Sequence, residues 1–176
     1  MTASRVIVFA IVALVAAAAA DSFRGKGSER VVAERKPESQ RLVGPAPEYV
    51  TEGEGMRTQV TRRGRVYLTA EQIDAAFPAP LHGLPFDIAH NAVAPDGTLA
   101  LAVYKLPPTG PIRAAIELWR EGELVNAFIV PTGSFGGGLG FTVDGRAVAT
   151  VTPDGHTAVL FSRDGDRVGR IPVTSW

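Results

Sequence analysis

Histidine is the residue type best suited to acid–base or metal chemistry, and this chain has three, His82, His90 and His156. They show no His-x-x-x-His or His-Glu-x-x-His spacing, and a zinc site needs three or four converging ligands. The chain has no cysteine, which excludes disulfides, thiolate ligands and a cysteine nucleophile. We therefore expect no metal and no cofactor, unless the fold brings His90 to Asp87.

Carboxylates recur in turns rather than in one cluster. A calcium loop needs several oxygen ligands within one short segment, whereas Asp164-Gly165-Asp166 supplies two carboxylates. Glu117 and Glu123 form a candidate carboxylate pair across a hairpin, but glycosidase chemistry requires a defined separation around a cleft. We expect both to be exposed on strands, so no catalytic constellation is visible.

Candidate partner contacts are easier to name than catalytic groups. The glycine-rich run at residues 133–140 lacks the Lys-Ser/Thr ending of a phosphate-binding loop and precedes a strand rather than a helix. It is predicted to connect two sheets, with Phe135 at its tip. The candidate contacts are Phe135, Trp119, Arg62, Arg63 and Arg65. Lysine plus arginine balances aspartate plus glutamate at 18 each, which predicts no nucleic-acid partner.

The elements that position these residues form one pattern twice, over residues 86–130 and 138–173. Each copy reads as four antiparallel strands separated by turns such as Asp96-Gly97 and Asp144-Gly145. Asp-Gly suits type I′ hairpins, which need positive φ at both central residues. Strands such as Leu99–Val103 are apolar at successive positions, so we expect cover on both faces of each sheet.

The repeat resembles a blade of the WD40-like and TolB-like β-propeller proteins. The resemblance rests on residues 95–100 with 116–122, and on residues 143–149 with 159–165, about half the chain. It implies a mainly β fold of two propeller-like blades. Propellers close with about four to eight blades, so the expected ways of covering the free faces are oligomerisation, a two-sheet sandwich, or cover by the N-terminal half. A shortened descendant of a longer propeller protein is the remaining alternative.

The N-terminus has the layout of an export signal. Arg5 precedes the uncharged apolar run Val6–Ala20, and Ala18-Ala19-Ala20 is a plausible cleavage site. The alternative is an uncleaved anchor, although fifteen helical residues rise only about 22 Å against a hydrocarbon core of roughly 30 Å. We expect an extracytoplasmic protein, secreted, periplasmic or in the cell envelope, with residues 1–20 as signal peptide or membrane anchor.

The region between this segment and the repeats is predicted in two parts. Residues 21–55 mix charges with proline and glycine and are expected to be a flexible linker. Residues 56–85 are expected to hold a hairpin at Arg62-Arg63-Gly64 and then a short helix. Thr69 and Gln72 have the spacing of a capping box, and Ile73 and Phe77 share one helix face. That face is predicted to dock on the β domain of residues 56–176.

These features favour an exported or anchored, non-catalytic interaction module that binds a protein partner or itself. The alternatives are a propeller-type hydrolase with a site at the blade tops, or a truncated remnant. An enzyme requires His90, Asp87 or Glu117 to converge in a concave pocket. An interaction module requires an exposed apolar or aromatic surface instead.

Overall fold

The computed structural model describes residues 42–131 and 136–173. The predicted export segment, residues 21–41 of the predicted linker, and Phe135 lie outside the described residues. The described strands, in chain order, are β1 (Leu42–Val43), β2 (Tyr49–Glu52), β3 (Gln59–Arg62), β4 (Arg65–Leu68), β5 (Phe86–Val93), β6 (Leu99–Lys105), β7 (Arg113–Arg120), β8 (Glu123–Val130), β9 (Gly138–Thr142), β10 (Ala147–Val151), β11 (Thr157–Ser162) and β12 (Arg167–Pro172). Helix α1 (Ala70–Ala76) lies between β4 and β5, and 3₁₀ turns occupy Gly55–Arg57 and Ala79–Leu81.

These strands form three antiparallel sheets, so the mainly β prediction is confirmed. The cover sheet has the order β2-β3-β4, the middle sheet β5-β6-β7-β8, and the C-terminal sheet β1-β9-β10-β11-β12. The two predicted repeats, residues 86–130 and 138–173, correspond to β5–β8 and β9–β12.

The Asp-Gly turns differ from the predicted type I′ geometry. Among the described non-glycine residues only Arg63 and Glu121 have positive φ, so type I′ geometry is found at Arg63-Gly64 and Glu121-Gly122. At Asp96-Gly97 the Gly97 N–H donates to Ala94 O at 2.9 Å, and Gly97 alone has positive φ. This is a type I turn followed by a glycine bulge. The aspartate keeps negative φ, and its carboxylate accepts the N–H of the residue two positions on.

The last part of the predicted linker is folded. Within residues 42–55, β1 pairs with β9 through Leu42 and Val43, and β2 pairs with β3. Tyr49 and Ala46 are buried. Composition indicated a linker because these residues are rich in glutamate, proline and glycine, and because β9, the partner of β1, lies about a hundred residues away in the sequence.

Both faces of the middle sheet are covered, as the non-alternating strands predict. On one face, small side chains of the middle sheet meet large ones of the C-terminal sheet. The small side chains include Ala92, Ala100, Ala102 and Ala114, and the large ones include Leu139, Phe141, Val159 and Phe161. Alternating small and large residues across facing layers fills space without voids.

The opposite face of the middle sheet packs on a cover layer, defined here as the cover sheet together with α1. Val60, Leu68, Ile73 and Phe77 of this layer are buried against middle-sheet residues such as Phe86, Leu101 and Trp119. The predicted capping box is present, with Gln72 N–H donating to Thr69 Oγ1 and Thr69 N–H donating to Gln72 Oε1. The predicted docking of the helix on the β domain is therefore confirmed.

The outer face of the C-terminal sheet carries a third apolar cluster of Ala147, Ala149, Val151, Ala158 and Leu160. Partly buried Leu42, Ile171 and Val173 pack against it. Among the described residues, no helix has the length and apolar content needed to cross a membrane.

Candidate functional site

The three residues that an enzyme would require do not converge. Asp87 and His90 pair with Tyr104 and Ala102, which face the C-terminal sheet. Glu117 shares a face of β7 with Trp119, and Trp119 packs in the cluster on the cover-layer side. Directly opposite residues share a sheet face, so Glu117 lies on the other side of the middle sheet from His90.

His90 borders an open cleft of about 360 Å³ next to a β-bulge at Ala89. Burial lowers the pKa of the half-buried His90 imidazole. The described lining residues are Pro45, Ala89, His90, Asn91, Gly137, Gly138 and Leu139. None of these supplies a carboxylate to orient the imidazole or a hydroxyl nucleophile, so this lining does not form a catalytic triad.

Asn91, beside His90, has a structural role. Its Oδ1 accepts the Ala46 N–H at 3.3 Å, and its Nδ2 donates to Tyr49 O at 3.3 Å. The side chain thus ties the chain before β2 to β5 and satisfies two backbone groups.

The surface that matches an interaction site is the outer edge of β8. Leu124, Val125 and Ile129 of this strand are 43%, 52% and 44% exposed, and Ile112 nearby is 45% exposed. A groove of about 390 Å³ lies at the β7–β8 end of the sheet, lined by Pro111, Ile112, Arg113, Ala114, Ile129, Val130 and Pro131. Residues 124–131 contain no charged side chain. The uncharged run was visible in the sequence, but which of its residues are exposed was not.

Asn126 and a bulge shape the middle of this edge. Leu118 pairs with Asn126 and Trp119 with Leu124, so Val125 has no partner on β7. Asn126 Oδ1 accepts the Ala127 N–H at 2.9 Å, and Asn126 Nδ2 donates to Arg163 O at 2.8 Å. The side chain of Asn126 thus accepts the hydrogen bond of the Ala127 N–H, a backbone donor at the centre of the edge strand.

The corresponding edge of the C-terminal sheet has a different composition. β12 carries Arg167, Arg170 and Pro172, and a register shift interrupts its pairing with β11. Charges, proline and bulges are the usual means by which proteins protect a sheet edge from pairing. By this comparison, β8 is the apolar edge of the two.

The predicted partner contacts have different outcomes. Arg62, Arg63 and Arg65 are exposed at the β3–β4 turn, and the Arg62 guanidinium lies 5.1 Å from the centre of the Tyr49 ring. Trp119 is 3% exposed, so the prediction of a surface contact there is wrong. The alternation of β7 turns its indole into the cover-layer cluster, where it packs instead of meeting a partner.

The proposed Glu117–Glu123 pair is also absent. Glu117 lies opposite Ala127 and is fully buried, whereas Glu123 lies opposite Arg120 and is exposed. Burial raises the pKa of Glu117 to about 8, although the Trp119 N–H, 3.0 Å from Oε2, acts to lower it. No hydrogen-bond donor among the described residues reaches the other oxygen, Oε1.

A buried ion pair lies in the same layer. The fully buried Lys105 ammonium donates to Asp74 Oδ1 and, at 2.8 Å, to Leu81 O. It also lies 4.8 Å from the Phe77 ring centre and 5.7 Å from that of Phe86. Burial would raise the pKa of Asp74, but the hydrogen bonds from Lys105 and Gly83 lower it overall. Lys105 therefore joins β6 to α1.

Within the part of the chain that the structure describes, no three histidine, aspartate or glutamate side chains come together as metal ligands. Comparison of the chain with protein-family models, curated proteins and solved structures finds no match.

Proposed function

We propose that the β domain is a non-catalytic interaction module of two blade-like repeats, exported or anchored through Val6–Ala20, and that it binds a second copy of itself along β8. The observation that carries this proposal is the apolar edge strand β8, which is uncharged from Leu124 onward and has Leu124, Val125 and Ile129 exposed. Apolar edge strands without protecting charges are templates for pairing with another chain.

The spacing of the exposed residues favours a second copy as the occupant. Val125 and Ile129 stand two residues on either side of Ala127. If Ala127 pairs with Ala127 of the second copy in an antiparallel arrangement, Val125 lies opposite Ile129 on both sides of a two-fold axis. A two-fold interface must be self-complementary in this way. The absence of charge from residues 124–131 removes like-charge repulsion between the two strands.

Pairing requires one local exchange. The Ala127 N–H leaves Asn126 Oδ1, 2.9 Å away, and donates to a carbonyl of the second copy. One hydrogen bond replaces another, so the exchange adds little cost, and the burial of Val125 and Ile129 supplies the favourable free energy.

Sedimentation equilibrium of the full chain tests the proposal, and the matched variants are Val125→Lys and Val168→Lys. Val168 is 57% exposed on β12, comparable with the 52% of Val125. We expect a dimer for the unmodified chain, a dissociation constant raised at least tenfold by Val125→Lys, and no change from Val168→Lys. A chain that is monomeric at all concentrations, or equal effects of both substitutions, contradicts the proposal.

Cysteine cross-linking tests the register, because the chain has no native cysteine. Ala127→Cys places two thiols opposite each other and is expected to give a disulfide-linked dimer under mild oxidation. Ile129→Cys places its two thiols about four residues apart along the strands, too far to cross-link. Equal cross-linking by both variants contradicts the register.

A further inference from the structure

The buried carboxyl group of Glu117 has no role in the interaction just proposed. It lies at the middle of β7, fully buried on the face that meets the cover layer. Trp119 Nε1 donates to its Oε2 at 3.0 Å, and its Oε1 receives no hydrogen bond from the described residues. A neutral carboxyl group satisfies this environment far better than a carboxylate, which needs several donors when it is buried.

The charged groups that act on Glu117 come from two other elements, Lys105 on β6 and Asp74 on α1. The Lys105 ammonium is committed to Asp74 and to the carbonyl of Leu81. Asp74 therefore largely compensates the positive charge of Lys105. The negative charge of Asp74 also disfavours ionisation of Glu117. An ionised Glu117 thus has one indole N–H as its hydrogen-bond partner.

We propose that Glu117 is a proton-dependent latch between the middle sheet and the cover layer. With its proton, the side chain stays in the apolar layer and the layer is closed. When the proton leaves to solvent, the carboxylate draws water into the layer, and α1 separates from the middle sheet. The opening is confined to this side of the sheet, because the cluster facing the C-terminal sheet consists of apolar side chains.

The direction of the pH response follows from the burial. Since burial raises the pKa of Glu117 to about 8, the closed layer binds a proton that the open layer releases between about pH 4.5 and 8. The closed form is therefore fully favoured at low pH and loses that advantage as pH rises to about 8. Helix α1 is seven residues long and depends on this packing, because so short a helix is unstable alone.

Fluorescence of the full chain with Trp176→Phe tests the latch, because Trp119 is then the only tryptophan. Between pH 6 and 10 we expect the emission of Trp119 to shift to longer wavelength, with the change complete by about pH 8. Glu117→Gln is expected to abolish the shift. Glu123→Gln, which neutralises an exposed carboxylate on the neighbouring strand, is expected to retain it.

Hydrogen exchange gives a second readout at the helix. At pH 9, amides of residues 70–76 are expected to exchange at least tenfold faster in the parent chain than in Glu117→Gln, with little difference in the C-terminal sheet. A shift of equal size in Glu117→Gln, or unchanged exchange in α1, overturns the proposal. If Glu117→Gln does not fold, carbon-13 spectra of labelled glutamate in the parent chain decide it, and an ionised Glu117 at pH 6 overturns it.

Discussion

Arg163 joins the C-terminal sheet to the middle sheet by an ion pair with Asp96, its Nη1 lying 2.7 Å from Asp96 Oδ2. The same guanidinium donates from Nε to Gly145 O at 2.8 Å. Asp96 lies in the β5–β6 turn, Gly145 in the β9–β10 turn and Arg163 in the β11–β12 turn. One side chain therefore connects three of the turns at this end of the two sheets, and Arg120 adds a second cation to Asp96.

Asp96→Asn is expected to weaken the fold at neutral pH and to reduce its sensitivity to acid. The hydrogen bond from Arg163 holds the pKa of Asp96 well below its usual range. A lowered pKa gives stability that is present above about pH 4 and is lost as pH falls. Because the pair is partly exposed, we expect a loss of about 1 kcal/mol. Urea unfolding from pH 2 to 7 measures it, and Asp164→Asn, in the β11–β12 turn, is the control variant.

Lys105→Met is expected to destabilise the protein by about 3 kcal/mol, because it leaves Asp74 without its partner in a mostly buried position. The double variant Lys105→Met with Asp74→Leu should recover part of this loss, since it removes both charges. Guanidinium unfolding of the two single variants and the double variant measures the coupling. A single variant as stable as the parent would show that Lys105 does not hold α1 on the sheet.

Two turn glycines form a matched pair for substitution by alanine. Gly155 and Gly165 both have positive φ, at 75° and 98°. A Cβ at Gly155 meets no atom within 4 Å, whereas at Gly165 it would lie 2.7 Å from Phe128 Cγ. We expect Gly155→Ala to cost about 1 kcal/mol from backbone strain alone. Gly165→Ala should cost about 1–3 kcal/mol more, because the Phe128 ring must move. Thermal unfolding of both variants checks the order, and equal losses would contradict it.

Thr69→Ala tests the cap of α1. The substitution removes the acceptor of the Gln72 N–H, and such losses cost about 1 kcal/mol. Thr69→Ser keeps the hydroxyl group and should remain close to the parent in denaturant unfolding. If serine and alanine are equally destabilising, the lost methyl group rather than the cap accounts for the effect.

The strands of the two repeats, β5–β8 and β9–β12, could be predicted because local signals mark them. An Asp-Gly or Glu-Gly pair marks at least one end of each strand, and the uninterrupted apolar stretch of β6 predicted cover on both faces. β1 escaped prediction because its partner β9 lies about a hundred residues away in the sequence. β2 pairs with the nearby β3, but the charges, prolines and glycines around it masked the strand. The turn type was wrong because an Asp-Gly pair fits both geometries, and the aspartate side chain selects the type I form by accepting a backbone N–H.

The burial of Trp119 and Glu117 and the edge position of β8 could likewise not be predicted from local sequence. From sequence alone, an aromatic residue such as Trp119 is a reasonable candidate for contact with a partner. Its position on β7 and the presence of the cover layer bury it instead. Glu117 was expected to be solvated because carboxylates on strands are usually exposed, although cover on both faces of the sheet was itself predicted. The exposed apolar edge at β8 was missed because β8 resembles the other apolar strands, and only sheet order shows that it lies last.

The alanines of the middle sheet have a consequence for tracing the ancestry of this protein. Ala100 and Ala102 leave room for the large side chains opposite, so a bulkier residue at either position would push the two sheets apart. Mutations that enlarge these positions are expected to be removed by selection. Distant relatives should therefore retain small residues here after overall identity has faded, and a search pattern built on that spacing would detect them.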